Sequence, residues 1–271
     1  MTSQKVPAER LGPLLGTGRT AEVYDWDDGH VLKLFHTTMP FASVAAEARS
    51  AQIVTAAGLP VPAAVDPLVE VDGRFGIIFA RLDGPTMLAL LANEPQWLEE
   101  LAGQFGALHA QMHRHTCREL PSQREALARA IDYAPALPDH LRERALHRLD
   151  RLPGGAAICH GDFHPDNIVM TAQGPVIIDW MTATSGNPAA DVARTMLLFR
   201  TADAPESNPV RAATLEQARH HFYATYRRAY AEQVHLTAAE TDAWLPVVAA
   251  ARLAEQIAGE EDRLLSIVET L

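Results

Sequence analysis

The sequence predicts an α+β fold: a small antiparallel sheet with one main helix, followed by a larger, mostly helical part. Three observations carry this. Residues 1–80 hold short apolar, β-branched runs separated by turn residues, with one helical interruption. From Thr86 onward the apolar residues recur with a period near 3.6. A single strand–loop–strand stretch around residues 156–180 interrupts the helical part. Runs of strands followed by runs of helices give α+β rather than an alternating parallel sheet.

Residues 11–34 read as two or three antiparallel strands. Residues 11–15 lead into Gly16-Thr17-Gly18-Arg19-Thr20. Then come Ala21-Glu22-Val23-Tyr24-Asp25-Trp26, a turn at Asp27-Asp28-Gly29, and His30-Val31-Leu32-Lys33-Leu34-Phe35. Residues 41–57 form a helix that stops at Gly58-Leu59-Pro60. Residues 63–71 and 74–80 are strands joined by Asp72-Gly73, a strong hairpin signal. Residues 95–115 place Leu98, Leu101, Phe105, Leu108 and Met112 on one helix face. Residues 121–150 read as two helices broken near Pro135 and Pro138. Asn187-Pro188 opens a helix over 189–200, residues 202–208 are a loop, and 213–234, 237–250 and 251–268 are helical.

Composition narrows the function classes. Of 271 residues, 48% are hydrophobic and 21% charged, an ordinary globular balance with enough chain for one large domain or two lobes. No apolar run has the length of a membrane span, and the first residues lack the apolar core of a signal peptide. Cys117 and Cys159 give no disulfide framework, so a reducing, cytoplasmic setting is expected. The net charge of −11 argues against nucleic acid as a partner and favours a small cationic substrate.

The stretch richest in chemistry is His160-Gly161-Asp162-Phe163-His164-Pro165-Asp166-Asn167, followed by two apolar runs and Asp179-Trp180. Asp162, Asn167 and Asp179 fall where strands leave a packed core, a place suited to fixed chemistry. Two carboxylates and an amide oxygen suit Mg2+. A carboxylate not bound to the metal can orient a hydroxyl nucleophile and accept its proton, which is what phosphoryl transfer asks of a protein. Lys33, amid an apolar strand, is either a solvent-facing position or a buried functional ammonium.

The pattern H-G-D-x-x-x-x-N from His160 to Asn167, followed by I-I-D-W at Asp179, resembles the aminoglycoside phosphotransferase and choline kinase-like family, small-molecule kinases with a bilobal protein-kinase-like fold. The resemblance implies a nucleotide-binding lobe at 1–80, a hinge at 81–84 and a catalytic and acceptor-binding lobe at 85–271. It implies ATP (or GTP) and Mg2+ as cofactors and a small hydroxylated molecule as partner, with no membrane association. By the same resemblance Asp162 is the catalytic base, braced by His160. Asn167 and Asp179 hold the metal, Gly16 and Gly18 cover the phosphates, Lys33 neutralises them and Glu47 positions Lys33. Backbone groups of Ala80 and Leu82 meet adenine, and Asp191 braces the catalytic loop. Two departures stand out: Ala21 replaces a third glycine, and Asn187 occupies a position where the family has Asp.

The acceptor is open: an aminoglycoside, another antibiotic, a choline-like amine, an amino alcohol or a sugar. Glu255, Glu260, Glu261 and Asp262 are candidates to face a cationic one. Two other classes compete. His160, Asp162, His164 and Asp166 have spacing that suits a metallohydrolase. A non-catalytic nucleotide-binding protein of the same fold would be expected to lose Lys33, Asp162 or Asp179. His109 and His113, four residues apart on a helix, have zinc-ligand spacing; with no carboxylate cluster to complete them, packing or surface roles are expected. The absence of D-F-G and of room for an activation segment argues against a protein kinase.

Overall fold

A computed structural model describes residues 2–27, 29–201 and 209–271, with Asp66, Pro209 and Val210 in backbone only. Asp28 of the expected turn and the expected loop at 202–208 lie outside the described residues. In chain order the elements are β1 (Ser3–Lys5), β2 (Leu14–Thr17), β3 (Ala21–Asp27), β4 (His30–Phe35), α1 (Phe41–Ala56), β5 (Ala64–Val71), β6 (Arg74–Ala80), α2 (Met87–Asn93), α3 (Leu98–His113), α4 (Gln123–Tyr133) and α5 (Asp139–Arg151). They continue with β7 (Ala157–Cys159), β8 (Ile168–Thr171), β9 (Gly174–Ile177), β10 (Thr184–Gly186), α6 (Pro188–Thr201), α7 (Pro209–Ala231), α8 (Ala238–Arg252) and α9 (Glu261–Val268). The fold is α+β, as the sequence predicts.

The chain divides into two compact units: Met1–Thr86 with Asn167–Ala183, and Met87–Asp166 with Thr184–Leu271. In the first, a six-stranded sheet has the order β1-β5-β6-β4-β3-β2, antiparallel except where β1 joins parallel to β5. The β5–β6 hairpin turns on Asp72 (φ 48°) and Gly73 (φ 76°), the positive-φ pair that matches strand twist. Strand β4 is covered on both sides. Leu32 and Leu34 pack with Trp26, Val69 and Val71, whereas Phe35 packs with Val44 and Ala48 of α1. Lys33 shares the α1-facing side with Phe35, because successive residues alternate across a sheet.

The β8–β9 hairpin completes this unit. Its Met170 N–H donates to the Pro85 carbonyl (2.9 Å) and its Ile177 N–H to the Pro60 carbonyl (2.8 Å). The approach is closest at Gly84, where φ is 155° and a Cβ would stand 2.0 Å from the Met170 oxygen. Only glycine fits there.

In the second unit α8 lies at the centre of the largest core, with Trp244, Val247, Val248 and Ala250 buried against α4, α5 and α6. Helices α3 and α7 pack so closely that a Cβ on Gly106 would stand 2.5 Å from the Tyr226 carbonyl oxygen. The helix expected over 251–268 is interrupted. After α8 comes a 3-10 turn at Leu253–Glu255, then Gln256 in the left-handed region (φ 51°) and Gly259 at φ 82°, and α9 begins only at Glu261. Strand β10, which has no apolar signal, pairs antiparallel with β7. Among the described residues no helix is long and apolar enough to cross a membrane.

Candidate active site

In the first unit the alternation of β4 aims Lys33 at α1. Its Nζ donates to Glu47 Oε1 at 2.6 Å and to Asp179 Oδ1 at 3.1 Å. Burial alone would pull the ammonium down. The two carboxylates outweigh it and hold the Lys33 pKa above its usual value. Glu47 is 1% exposed, not a solvated helix charge. Burial pushes its carboxyl up, and its second oxygen has no hydrogen-bond partner among the described residues.

Asp179 follows β9 and sits at φ 64°, a left-handed conformation uncommon outside glycine but tolerated by Asp. The turn is pinned on both sides: Ile178 N–H donates to the Asn167 carbonyl (3.0 Å), and the buried Trp180 ring donates to the Ile177 carbonyl (3.2 Å). The structure thus brings Lys33, Glu47 and Asp179 into one cluster, and joins Asn167 to the backbone beside Asp179. Asn167 and Asp179 are hard oxygen donors of the kind Mg2+ takes, and the Lys33 ammonium beside them suits a polyanion. The donor set fits a metal–nucleotide pair.

Gly18 N–H donates to the Ala21 carbonyl (2.8 Å), closing the β2–β3 turn, and Gly16 lies in β2 opposite Val23 at a bulge. Neither glycine has positive φ. The Ala80 N–H donates to the Ala63 carbonyl (2.9 Å) and is already engaged; Leu82 lies just past the end of β6.

The second unit holds His160 and Asp162. Asp191, in the first turn of α6, is fully buried and accepts the backbone N–H groups of His160 (2.8 Å) and Gly161 (2.7 Å). It also meets the Nε2 atoms of His109 (3.2 Å) and His113 (3.1 Å), whose Nδ1 atoms face the hydroxyls of Tyr226 (2.9 Å) and Tyr230 (2.7 Å). The expectation that no carboxylate completes a group with these two histidines is corrected, since Asp191 arrives from far along the chain; the packing role expected of them holds, both rings being buried in the core. Burial would raise the Asp191 carboxyl, but donation from the two imidazoles holds it well below the ordinary range. An ionised Asp191 only accepts, so each Nε2 carries its hydrogen and each Nδ1 accepts from a tyrosine. The ring nitrogens then have no lone pair left for zinc. Burial and the neighbouring His113 lower His109 to about 3.

Asp162 Oδ1 accepts from Arg194 of α6 (3.2 Å), and His164 Nε2 lies 3.3 Å from Oδ2. Burial opposes ionisation here too. The His164 hydrogen bond and the Arg194 charge prevail and hold the carboxyl far below its usual value. Among the described residues the only gathered group of three or more metal-ligating side chains is His109, His113 and Asp191. His160, Asp162, His164 and Asp166, the hydrolase candidates, do not gather into such a group. Arg194 escaped the sequence reading; its signal is the i, i+3 spacing from Asp191. Two acidic candidates for a cationic acceptor are already engaged: Glu255 pairs with Arg194 (2.6 Å) and Arg252 (3.2 Å), and the buried Glu260 takes a bidentate pair from Arg252. Asn187 caps α6 through Ala189 N–H (2.8 Å), while its amide donates to the carbonyls of Pro153 and Gly154. An Asp there would lack those donors.

A model of the phosphotransferase enzyme family matches residues 14–232. Solved structures with a similar fold include an amicoumacin kinase in complex with AMP-PNP, Ca2+ and its ligand (TM-score 0.64, 13% identity, covering 97% of this chain and 87% of that one). The aminoglycoside phosphotransferase APH(4)-Ia is similar at TM-score 0.66 and 16% identity, covering 95% of this chain and 93% of that one. A choline/ethanolamine kinase family protein from Mesorhizobium loti is similar at TM-score 0.52 and 19% identity, covering 97% and 90%. A search of curated protein sequences gave no match.

Proposed function

Because the chain belongs to the phosphotransferase enzyme family, we propose that it is a kinase moving the γ-phosphate of ATP, or GTP, to a hydroxyl of a small molecule. The observation that carries this reading is the part-buried Lys33 ammonium, held between Glu47 and Asp179 at 2.6 and 3.1 Å. A charged lysine with a fixed direction suits a polyphosphate.

In this reading Lys33 faces the α- and β-phosphates and Glu47 keeps it extended. Asn167 and Asp179 are the metal ligands. A bound divalent cation, Mg2+ here, supplies neutralising charge at the phosphates. The backbone carbonyl of Ala80 and the backbone of Leu82 meet adenine. The turn at Gly16 and Gly18 covers the phosphates. Asp162 stays ionised, because His164 and Arg194 favour its charged form. So weak a base orients the acceptor hydroxyl and takes its proton late. His160 and Asp191 fix the loop that carries it. AMP-PNP in complexes of the amicoumacin kinase, and of APH(4)-Ia together with hygromycin B, supports a nucleotide and a small acceptor as the ligands.

The test is ADP or GDP release with Mg2+ and each nucleotide, over a panel containing hygromycin B, amicoumacin, choline and ethanolamine. Turnover that needs Mg2+ and one panel compound is expected. Asp162→Asn should lower kcat at least about 10²-fold while leaving the thermal shift given by Mg2+·AMP-PNP unchanged. Normal turnover in that variant removes Asp162 from its role. No nucleotide shift in the wild type rejects the kinase reading itself.

A further inference from the structure

We propose that Arg194 is the positioning residue for Asp162, fixing the carboxylate against its own backbone. This rests on the reading of Asp162 as the group that orients the acceptor hydroxyl. Asp191 and Arg194 stand three residues apart on α6, one turn on the same face. Between them they hold the Gly161 peptide units from both directions. Asp191 accepts the Gly161 N–H at 2.7 Å, and Arg194 Nε donates to the Gly161 carbonyl at 3.1 Å. Gly161 has φ 80°, so the loop reverses there in a conformation that side chains resist.

The same guanidinium donates through Nη2 to Asp162 Oδ1 at 3.2 Å. One planar fork therefore spans a backbone carbonyl and the side chain of the following residue, which fixes the side-chain direction. A lysine ammonium has no such fork. The third contact sets the balance. Glu255 Oε1 lies at 2.6 Å from the same nitrogen, nearer than Asp162. Glu255 and Asp162 therefore share one guanidinium nitrogen, with Asp162 aligned by the longer contact. The side chain of Arg194 is only 11% exposed, so this geometry is largely shielded from solvent. An ion pair serving stability alone has no need to touch both the loop carbonyl and the carboxylate.

The experiment compares Arg194→Ala, Arg194→Lys and Glu255→Gln with the wild type and with Asp162→Asn. ADP release from Mg2+·ATP is read with the active panel compound and, without one, with water as acceptor. Arg194→Ala should lower kcat about 10–10²-fold, with KM for Mg2+·ATP within about twofold. Arg194→Lys should recover little of this, since it restores charge without the fork. Millimolar guanidinium chloride should restore part of the Arg194→Ala turnover and none in Asp162→Asn. A kcat for folded Arg194→Ala within twofold of wild type, or an Arg194→Lys variant equal to wild type, overturns the proposal while a dead Asp162→Asn keeps the kinase reading. If Arg194→Ala does not fold, Glu255→Gln decides. It keeps the guanidinium but strips the charge from its tether, and a several-fold fall in kcat is expected. An unchanged kcat overturns the proposal.

Discussion

At Lys33 the period of a β-strand decides what one charge does. The sequence leaves two readings open, because an apolar strand with a lysine in it is consistent with either face. The register fixes the face: Leu32 and Leu34 take one side, Lys33 and Phe35 the side of α1, where Glu47 waits. Removing one member of such a pair strands the other. Lys33→Met should destabilise the protein by roughly 3–5 kcal/mol, and the double variant with Glu47→Leu should recover much of it, as read by urea unfolding. Recovery by the double variant alone separates charge burial from packing loss. Asn187 makes the complementary point. The motif marks it only as a departure from Asp, and the reason appears once Pro153 and Gly154 present carbonyls to its amide. Asn187→Asp keeps the helix cap but loses both donations. A loss of about 1 kcal/mol is expected, lowering Tm by about 2–4 °C. Arg194 was missed for a related reason. Its i, i+3 spacing from Asp191 gains meaning only once the loop that both residues reach is known.

Elements with strong periodicity were readable to within a few residues: β5 and β6 with their Asp-Gly turn, α1, α3, α4 and α5. Elements that exist only through partners were not. Strand β1 is three exposed polar residues made a strand by the open edge of β5. Strand β10 is Thr-Ser-Gly paired to β7. The segment 251–268 has the Ala, Leu and Glu content of a helix, yet Gln256 and Gly259 reverse the chain inside it, and the Arg252 pairs to Glu255 and Glu260 close the reversal. The pairing of α3 with α7 is just as invisible locally, since it depends on Gly106 having no Cβ. Gly106→Ala adds a methyl where Tyr226 O stands 2.5 Å away. Helix propensity favours alanine by about 1 kcal/mol, so a net loss of about 1–3 kcal/mol would show that overpacking wins. A stabilised variant would mean that the helices separate freely.

On the scale of the whole molecule, the buried His109 ties stability to pH. His109 titrates near 3 when folded and near 6.5 when unfolded. Between those values the unfolded chain binds a proton that the native one refuses. Stability therefore falls as pH drops from about 6.5, by about 1.4 kcal/mol per pH unit for this group. Below the ordinary Asp value near 3.8, Asp191 adds a loss of the same sign, because its native pKa is depressed. Urea unfolding at pH 7, 6 and 5 should show this fall, and a flat profile would mean that His109 is already charged in the fold. The first compact unit also has a temporal consequence. Its last two strands, with Asp179, belong to Asn167–Ala183, about 80 residues after Thr86. A ribosome adding 5–20 residues per second needs roughly 4–16 s to cover that distance. For those seconds the nascent sheet has been made while its hairpin has not, with the Pro60 and Pro85 carbonyls and the Gly84 niche awaiting their occupant. The first 86 residues are thus the first to be synthesised but not the first able to finish, and this interval is where a nascent-chain chaperone has something to hold.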